Sequence, residues 1–110
     1  MIFVEFTSFS HRRSENLDDE AYRALQNALL EHPDAGVRIP GTGGLRKIRW
    51  AAEGRGKRGG VRGIYSPVES RGVMLMLLIY PKNEQDDLTP AQKRLLAGLV
   101  RAELAQAGEP

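Results

Sequence analysis

The sequence predicts an α+β domain in which a mainly antiparallel, twisted sheet of about four strands carries an N-terminal helical segment and a C-terminal helix. A strand-like run opens the chain, a stretch with helical periodicity follows it, and three further strand-like segments precede a last stretch with a strong helix start. A chain of 110 residues is long enough to bury a modest core. No repeat or linker divides it, so residues 1–110 are predicted to form one domain.

The first half begins with a strand over residues 2–6, which are rich in β-formers. Asp18 then suits a helix N-cap, with Asp19 and Glu20 in the first turn, where acidic groups favour the helix dipole. His32-Pro33 ends this helix, because a residue before proline avoids the helical region. Apolar residues recur at helical spacing on one face: Leu17, Ala21, Tyr22, Leu25, Ala28 and Leu29.

The second strand covers residues 45–50, where apolar and basic side chains alternate. Side chains in a strand point to opposite faces with period two. Ile48 and Trp50 therefore share one face, which we assign to the core, and Lys47 and Arg49 share the other.

Two more strands are expected over residues 61–65 and 73–80. The first follows a glycine-rich connection over residues 51–60. The second is continuously apolar, which predicts a central strand buried on both faces. This run is far shorter than the roughly 18 residues of a membrane span.

The last helix has a well-defined predicted start. Thr89 suits the N-cap, Pro90 suits the first helical position, and Gln92 can complete a capping box. Gly108 is expected to end the helix.

Composition excludes several kinds of site. The chain has no cysteine, so it has no disulfide and no thiolate ligand, which fits a reducing cytosol. His11 and His32 lack metal-type spacing, and no serine triad stands out. The N-terminal run over residues 1–6 is too short and too acidic for a signal peptide. We therefore expect a cytoplasmic protein without a metal or cofactor.

Positive charge is concentrated between Gly41 and Tyr65. Glu53 is the single acid in this segment, although the whole chain has a net charge of only +2. Such a basic strip suggests a phosphate-bearing partner, and a solvated surface without a partner is the alternative. The cations are Arg46, Lys47, Arg49, Arg55, Lys57, Arg58 and Arg62.

The basic loop over residues 54–59 has the letters of a dinucleotide fingerprint. The expected helix does not follow, because Val61 to Tyr65 resembles a strand. The loop is instead suited to follow a nucleic-acid backbone, or it is simply a flexible hairpin tip. Tyr65 and Tyr80 border the basic residues and could stack on bases, although both are also ordinary strand residues.

Three blocks together resemble the RelE/HigB-type toxins of type II toxin–antitoxin systems, in particular their HigB-like branch. They are GTGGLRKIRWA from Gly41, GRGKRGGVR from Gly54, and IYPKNE from Ile79 with Asp87-Leu88-Thr89 after it. The resemblance covers nearly the whole chain. It implies a compact RelE-like fold and metal-free cleavage of mRNA in the ribosomal A site. It also implies a cognate antitoxin, commonly a HigA-like helix-turn-helix protein through which alone operator DNA is bound.

The resemblance also suggests roles for single residues. Lys47 and Arg49 match the paired basic residues of one strand face, Arg62 the arginine on the scissile phosphate, and Lys82 the basic residue after the last strand. These four are the candidate catalytic residues. Further candidate RNA contacts are Arg46, Arg55, Lys57, Arg58, Tyr65, Tyr80 and Asn83.

The hypothesis is in-line attack of a ribose 2′-hydroxyl on the adjacent phosphate. Without a histidine in the strip, either a lysine or the ribosome must supply the base. The cations around Lys47 would favour its neutral, reactive amine. Arg62 would clamp the phosphate, and Lys82 would assist the leaving group. The alternatives are a non-catalytic nucleic-acid-binding module and a degenerate toxin that retains only antitoxin binding.

Overall fold

The computed structural model describes residues 1–51 and 60–107. Within them the fold is α+β, as predicted, with a five-stranded mixed sheet. The elements in chain order are β1 (Ile2–Glu5), α1 (Thr7–Asn16), α2 (Asp19–Glu31), β2 (Val37–Arg38), β3 (Arg46–Trp50), β4 (Val61–Val68), a short 3-10 helix (Glu69–Arg71), β5 (Val73–Pro81) and α3 (Pro90–Ala107).

The sheet has the strand order β1-β5-β4-β3-β2. Strands β2 to β5 are antiparallel, but β1 runs parallel to β5, with Ile2 opposite Val73. The prediction of about four mainly antiparallel strands is therefore wrong in strand number and in the direction of one pair. Two causes account for this. The two-residue β2 is too short to show alternation, and a strand's own sequence does not identify its neighbour.

The N-terminal helical segment is two helices rather than one. Helix α2 agrees with the prediction, because the Asp18 side chain accepts a hydrogen bond from the Ala21 N–H at 2.8 Å and the helix ends at Glu31. Helix α1 was not predicted, since most of its residues are polar. Phe9 is its one buried apolar side chain.

Helix α3 begins as its sequence predicts. The Thr89 hydroxyl accepts a hydrogen bond from the Gln92 N–H at 3.1 Å, and the Gln92 amide oxygen accepts one from the Thr89 N–H at 3.0 Å. This reciprocal capping box fixes where the chain turns from the sheet into the helix. Gly108, the predicted end, lies outside the described residues.

Helices cover both faces of the sheet, so the molecule has three layers. On one face, side chains of α1 and α2 such as Phe9 and Leu25 pack against Tyr65 and Met76. On the other face, α3 packs against the sheet around Leu77. Strand β5 is mostly buried, as its apolar run predicted. Trp50 packs at the border of the first core, as expected.

No helix among the residues described is both long enough and apolar enough to cross a membrane.

Gly60, directly before β4, has a positive φ and lies against the backbone of Trp50. Its φ is +66°, and an added Cβ would lie 2.2 Å from the Trp50 carbonyl oxygen. We expect Gly60→Ala to reduce the free energy of unfolding by about 3 kcal/mol or more, since both backbone strain and a backbone clash oppose it. Urea unfolding measures the change.

Gly72→Ala is the matched control. Gly72 has a similar φ of +63°, but an added Cβ meets no atom within 4 Å. It should cost only about 1 kcal/mol, the strain alone. Equal losses in the two variants would contradict the predicted clash.

Candidate nucleic-acid interface

Three predicted site residues form a row across neighbouring strands. Arg49 on β3 lies opposite Arg62 on β4, and Arg62 lies opposite Tyr80 on β5. Directly opposed residues in antiparallel strands point to the same face. Lys47 lies two residues before Arg49 and therefore points to this face as well. The register of β3 and β4 thus places Lys47, Arg49 and Arg62 together on the α3 side of the sheet, and we call these three side chains the basic row.

Arg62 is a nearly buried cation, with its side chain only 4% exposed. Its Nη2 lies 3.4 Å from a carboxylate oxygen of Asp86, and its Nη1 lies 3.3 Å from the Val61 carbonyl oxygen. A guanidinium at this depth requires anionic or carbonyl partners, because burial of an unpaired charge is costly.

Lys47 is also paired with a carboxylate. Its Nζ forms a salt bridge with Asp87 and lies 3.4 Å from the Asp86 carbonyl oxygen. The sequence had suggested that crowded cations would favour the neutral amine of Lys47. In the structure Lys47 instead donates to the Asp87 carboxylate, so its amine is engaged in an ion pair and the proposed activation lacks support while this pair holds.

Asp87 shows how many cations gather here. Its pKa is lowered, first by the hydrogen bond from Lys47, then by the charge of Lys47 and, more weakly, by Lys93 and Arg49. Lys93 on α3 was missed by the sequence analysis. It also lines a groove of about 260 Å³ together with Lys47 and Asp87. A cation in the first turn of a helix opposes the helix dipole, and that signal could have drawn attention to it.

Asp86 and Asp87, which pair with Arg62 and Lys47, both belong to the connection from β5 to α3. We call residues 84–88 the acidic strap. At one end the Glu84 carboxylate is bound by Arg12 of α1, which holds the pKa of Glu84 below its ordinary value. At the other end the Leu88 side chain is buried in the core on the α3 side. The strap is therefore fixed at both ends over the basic row.

Tyr80 lies beneath this arrangement and is completely buried. Its hydroxyl has no hydrogen-bond partner among the residues that the structure describes. Burial, followed by the charge of Asp87, raises the pKa of Tyr80 to about 12. The hydroxyl is therefore neutral at physiological pH, when it can donate a hydrogen bond but does not act as a base. In this conformation the ring cannot stack on an RNA base, which departs from the role predicted for it.

Two other predicted RNA contacts have structural roles. Tyr65 is fully buried, and its hydroxyl donates to the Pro33 carbonyl and accepts from the Gly36 N–H, both at 2.8 Å. Arg46 donates to the Gly36 carbonyl at 2.8 Å. Both residues hold the segment before β2, on the face opposite Lys47. Tyr65 is therefore not available to RNA in this arrangement, and the half-buried Arg46 is engaged on the face away from Lys47.

The remaining predicted residues lie at the margin of the row. Lys82 and Asn83 are exposed in the turn after β5, where the Lys82 N–H donates to the Gly60 carbonyl at 3.2 Å. Lys82 therefore lies beside the start of β4. Arg55, Lys57 and Arg58 lie outside the described residues.

Over residues 1–51 and 60–107, no group of three or more histidine, aspartate or glutamate side chains is placed to hold a metal ion. No protein-family profile matches the chain.

The hydroxyl of Tyr80 gives a prediction for stability. Removing a buried hydroxyl without a partner should stabilise the fold, so Tyr80→Phe is expected to raise the free energy of unfolding by about 1 kcal/mol. Tyr65→Phe is the matched control. It leaves the Gly36 N–H and the Pro33 carbonyl without their partner, and should cost about 1–2 kcal/mol. Chemical denaturation distinguishes them, and a loss of stability in both would show that Tyr80 makes an important hydrogen bond.

The lowered pKa of Asp87 gives a prediction for pH dependence. Its ion pair with Lys47 stabilises the fold fully above the ordinary aspartate pKa of 3.8, and this contribution is lost as pH falls through the lower folded value. We expect wild type to lose more stability than Asp87→Asn as pH falls from about 5 towards 3. Melting temperatures across this range measure the difference. In a Lys47→Met background, Asp87→Asn should no longer alter the profile, and an unchanged effect there would contradict the assignment.

Proposed function

We propose that this protein is the toxin of a toxin–antitoxin system, a RelE/HigB-type, ribosome-dependent endoribonuclease that cleaves mRNA in the cytoplasm and inhibits translation. The observation that carries the proposal is the row of cations on one face of the sheet. Lys47, Arg49 and Arg62 come from two strands and lie together, and Lys93 joins them from α3. This spacing suits an RNA backbone better than it suits a small apolar ligand.

The proposed reaction needs no cofactor. The ribose 2′-oxygen forms a bond to phosphorus, and the bond from phosphorus to the 5′-oxygen breaks, which leaves a 2′,3′-cyclic phosphate. One proton leaves the 2′-hydroxyl and one reaches the departing 5′-oxygen. Charge builds on the phosphoryl oxygens, and the planar guanidinium of Arg62 suits two of them.

Arg49 is the cation best placed to meet RNA first. Its side chain is exposed and forms no hydrogen bond or ion pair with a described residue. It can therefore contact a phosphate without loss of an internal partner. Lys82, exposed beside the start of β4, is the proposed group for the leaving oxygen. Lys47 must leave Asp87 before it can face the phosphate, and either this lysine or the ribosome supplies the base.

The proposed partners follow from the same assignment. They are a HigA-like helix-turn-helix antitoxin and mRNA on the ribosome, with operator DNA bound only through the antitoxin. Copurification with the product of the adjacent small open reading frame tests the antitoxin.

One observation favours a second candidate. Lys47 and Arg62 are both engaged by carboxylates. A non-catalytic nucleic-acid-binding module, or a degenerate toxin that retains only antitoxin binding, would tolerate this engagement. The binding module and the degenerate toxin both predict that the protein does not cleave RNA.

Growth and mRNA ends after induction test the proposal. Wild type should arrest growth and produce new mRNA ends with 2′,3′-cyclic phosphates. Arg49→Ala, Lys82→Ala, Arg62→Ala and the double variant Lys47→Ala/Arg49→Ala should each reduce cleavage at least about tenfold, because each removes charge stabilisation from the transition state.

Arg23→Ala is the control, since Arg23 is an exposed cation on α2, on the other side of the sheet. It should cleave like wild type. Wild-type protein that folds but neither cleaves mRNA nor slows growth would sink the proposed activity. Cleavage retained by all four site variants would remove these residues from it.

A further inference from the structure

We propose that the acidic strap is a built-in competitor of RNA. The Asp86 and Asp87 carboxylates occupy the positions that an RNA phosphate takes beside Arg62 and Lys47, and binding requires both to move into solvent. This inference rests on the proposed function, because it takes the phosphates of single-stranded RNA as the ligand of the basic row.

The exposure of each pair shows which partner lies outside. The Lys47 side chain is 14% exposed and that of Asp87 is 72% exposed. For Arg62 and Asp86 the values are 4% and 56%. In both pairs the carboxylate lies on the solvent side and the cation beneath it. A phosphate that approaches from solvent therefore meets two anions before it reaches Lys47 or Arg62.

The charges of the described residues also indicate that an approaching phosphate meets the two carboxylates before it reaches Lys47 or Arg62. Besides Arg12 at Glu84, four cations lie around Asp86 and Asp87, and two of these four, Lys47 and Arg62, are paired with the aspartates. Arg49 and Lys93 stay outside these salt bridges and can attract RNA from a distance. Close contact then brings the phosphate against Asp86 and Asp87, where like charges repel.

The strap is built so that its side chains can move while its backbone stays. Glu84 is bound by Arg12 and Leu88 is buried, so both ends are held. Between them the Gln85 side-chain amide donates to the Asp87 carbonyl at 3.0 Å and to the Gln92 side-chain oxygen at 2.9 Å. The Asp86 and Asp87 carboxylates are more than half exposed, and an incoming phosphate can replace each of them as the anionic partner of Arg62 and Lys47. Rotation of the two side chains is therefore enough to uncover the cations.

Tyr80 supplies a second, independent observation. Its fully buried hydroxyl lies close enough to Arg62, Asp86 and Asp87 for each to act on its ionisation, yet it makes no hydrogen bond to a described residue. Buried polar groups normally find a partner. A phosphate oxygen seated beside Arg62 would provide that partner once the carboxylates have left. The structure thus assigns Tyr80 as a hydrogen-bond donor that is satisfied only in the complex.

Binding of a 2′-O-methyl RNA decamer, measured by fluorescence anisotropy at low salt, tests the proposal. This probe lacks the attacking hydroxyl, so it measures affinity alone. Asp86→Asn/Asp87→Asn should bind roughly fivefold more tightly than wild type, because two repulsive charges are removed. The single variant Asp87→Asn should show part of this gain.

Glu20→Gln/Glu31→Gln is the matched control. It makes the same change in net charge on α2, on the opposite side of the sheet. It should change affinity less than twofold, since distant exposed charges are screened. A gain equal to that of the strap variant would show an effect of net charge only and would overturn the proposal, as would no gain or no binding in any of the proteins.

Two further substitutions test where the RNA binds. When each is added to Asp86→Asn/Asp87→Asn, Lys47→Ala should remove most of the gain in RNA affinity and Tyr80→Phe should reduce it. Circular dichroism should show that both proteins remain folded. A gain that survives both changes would place the RNA elsewhere and contradict the assignment. Wild type that binds the probe but cleaves no mRNA would reject the proposed nuclease and leave the strap result standing, so the two failures are distinguishable.

Discussion

The pairing of Arg62 with Asp86 is the constraint on which the site depends. A guanidinium within a sheet, almost out of contact with water, requires a negative partner, and the chain supplies one from the connection between β5 and α3. That requirement fixes the position of the connection. Because Asp87 follows Asp86 directly, the same placement brings a second carboxylate to Lys47. The buried charge of Arg62 therefore determines where the acidic strap lies relative to the basic row.

The sequence predicted the parts of this site that follow from local periodicity. Alternation on β3 placed Lys47 and Arg49 on one face, and the structure keeps them there beside Arg62. The capping box of α3 and the N-cap of α2 were equally visible, because each depends on residues a few positions apart. Such short-range signals survive folding, since the surroundings reinforce them.

What depended on distant partners was not predictable. The same period that paired Lys47 with Arg49 also implied that Arg46 faces away, yet its inclusion among RNA contacts rested on charge alone. Tyr65 likewise looked available until Pro33 and Gly36 were seen to use its hydroxyl. No local pattern gave Asp86 a role, and Asp87 entered only as part of the resemblance. Their ion pairs in the folded chain show that they lie over Arg62 and Lys47.

The parallel pairing of β1 with β5 has a consequence for synthesis of the chain. Ile2 of β1 can pair with Val73 only after about 70 further residues have been synthesised, so β1 joins the sheet after β5 has formed. Contacts of such long sequence separation form late, because the intervening chain must first be ordered. The cluster of four cations is completed later still, because Lys93 lies beyond β5 on α3. A growing polypeptide therefore cannot bring Lys93 to the other three cations until α3 has been synthesised.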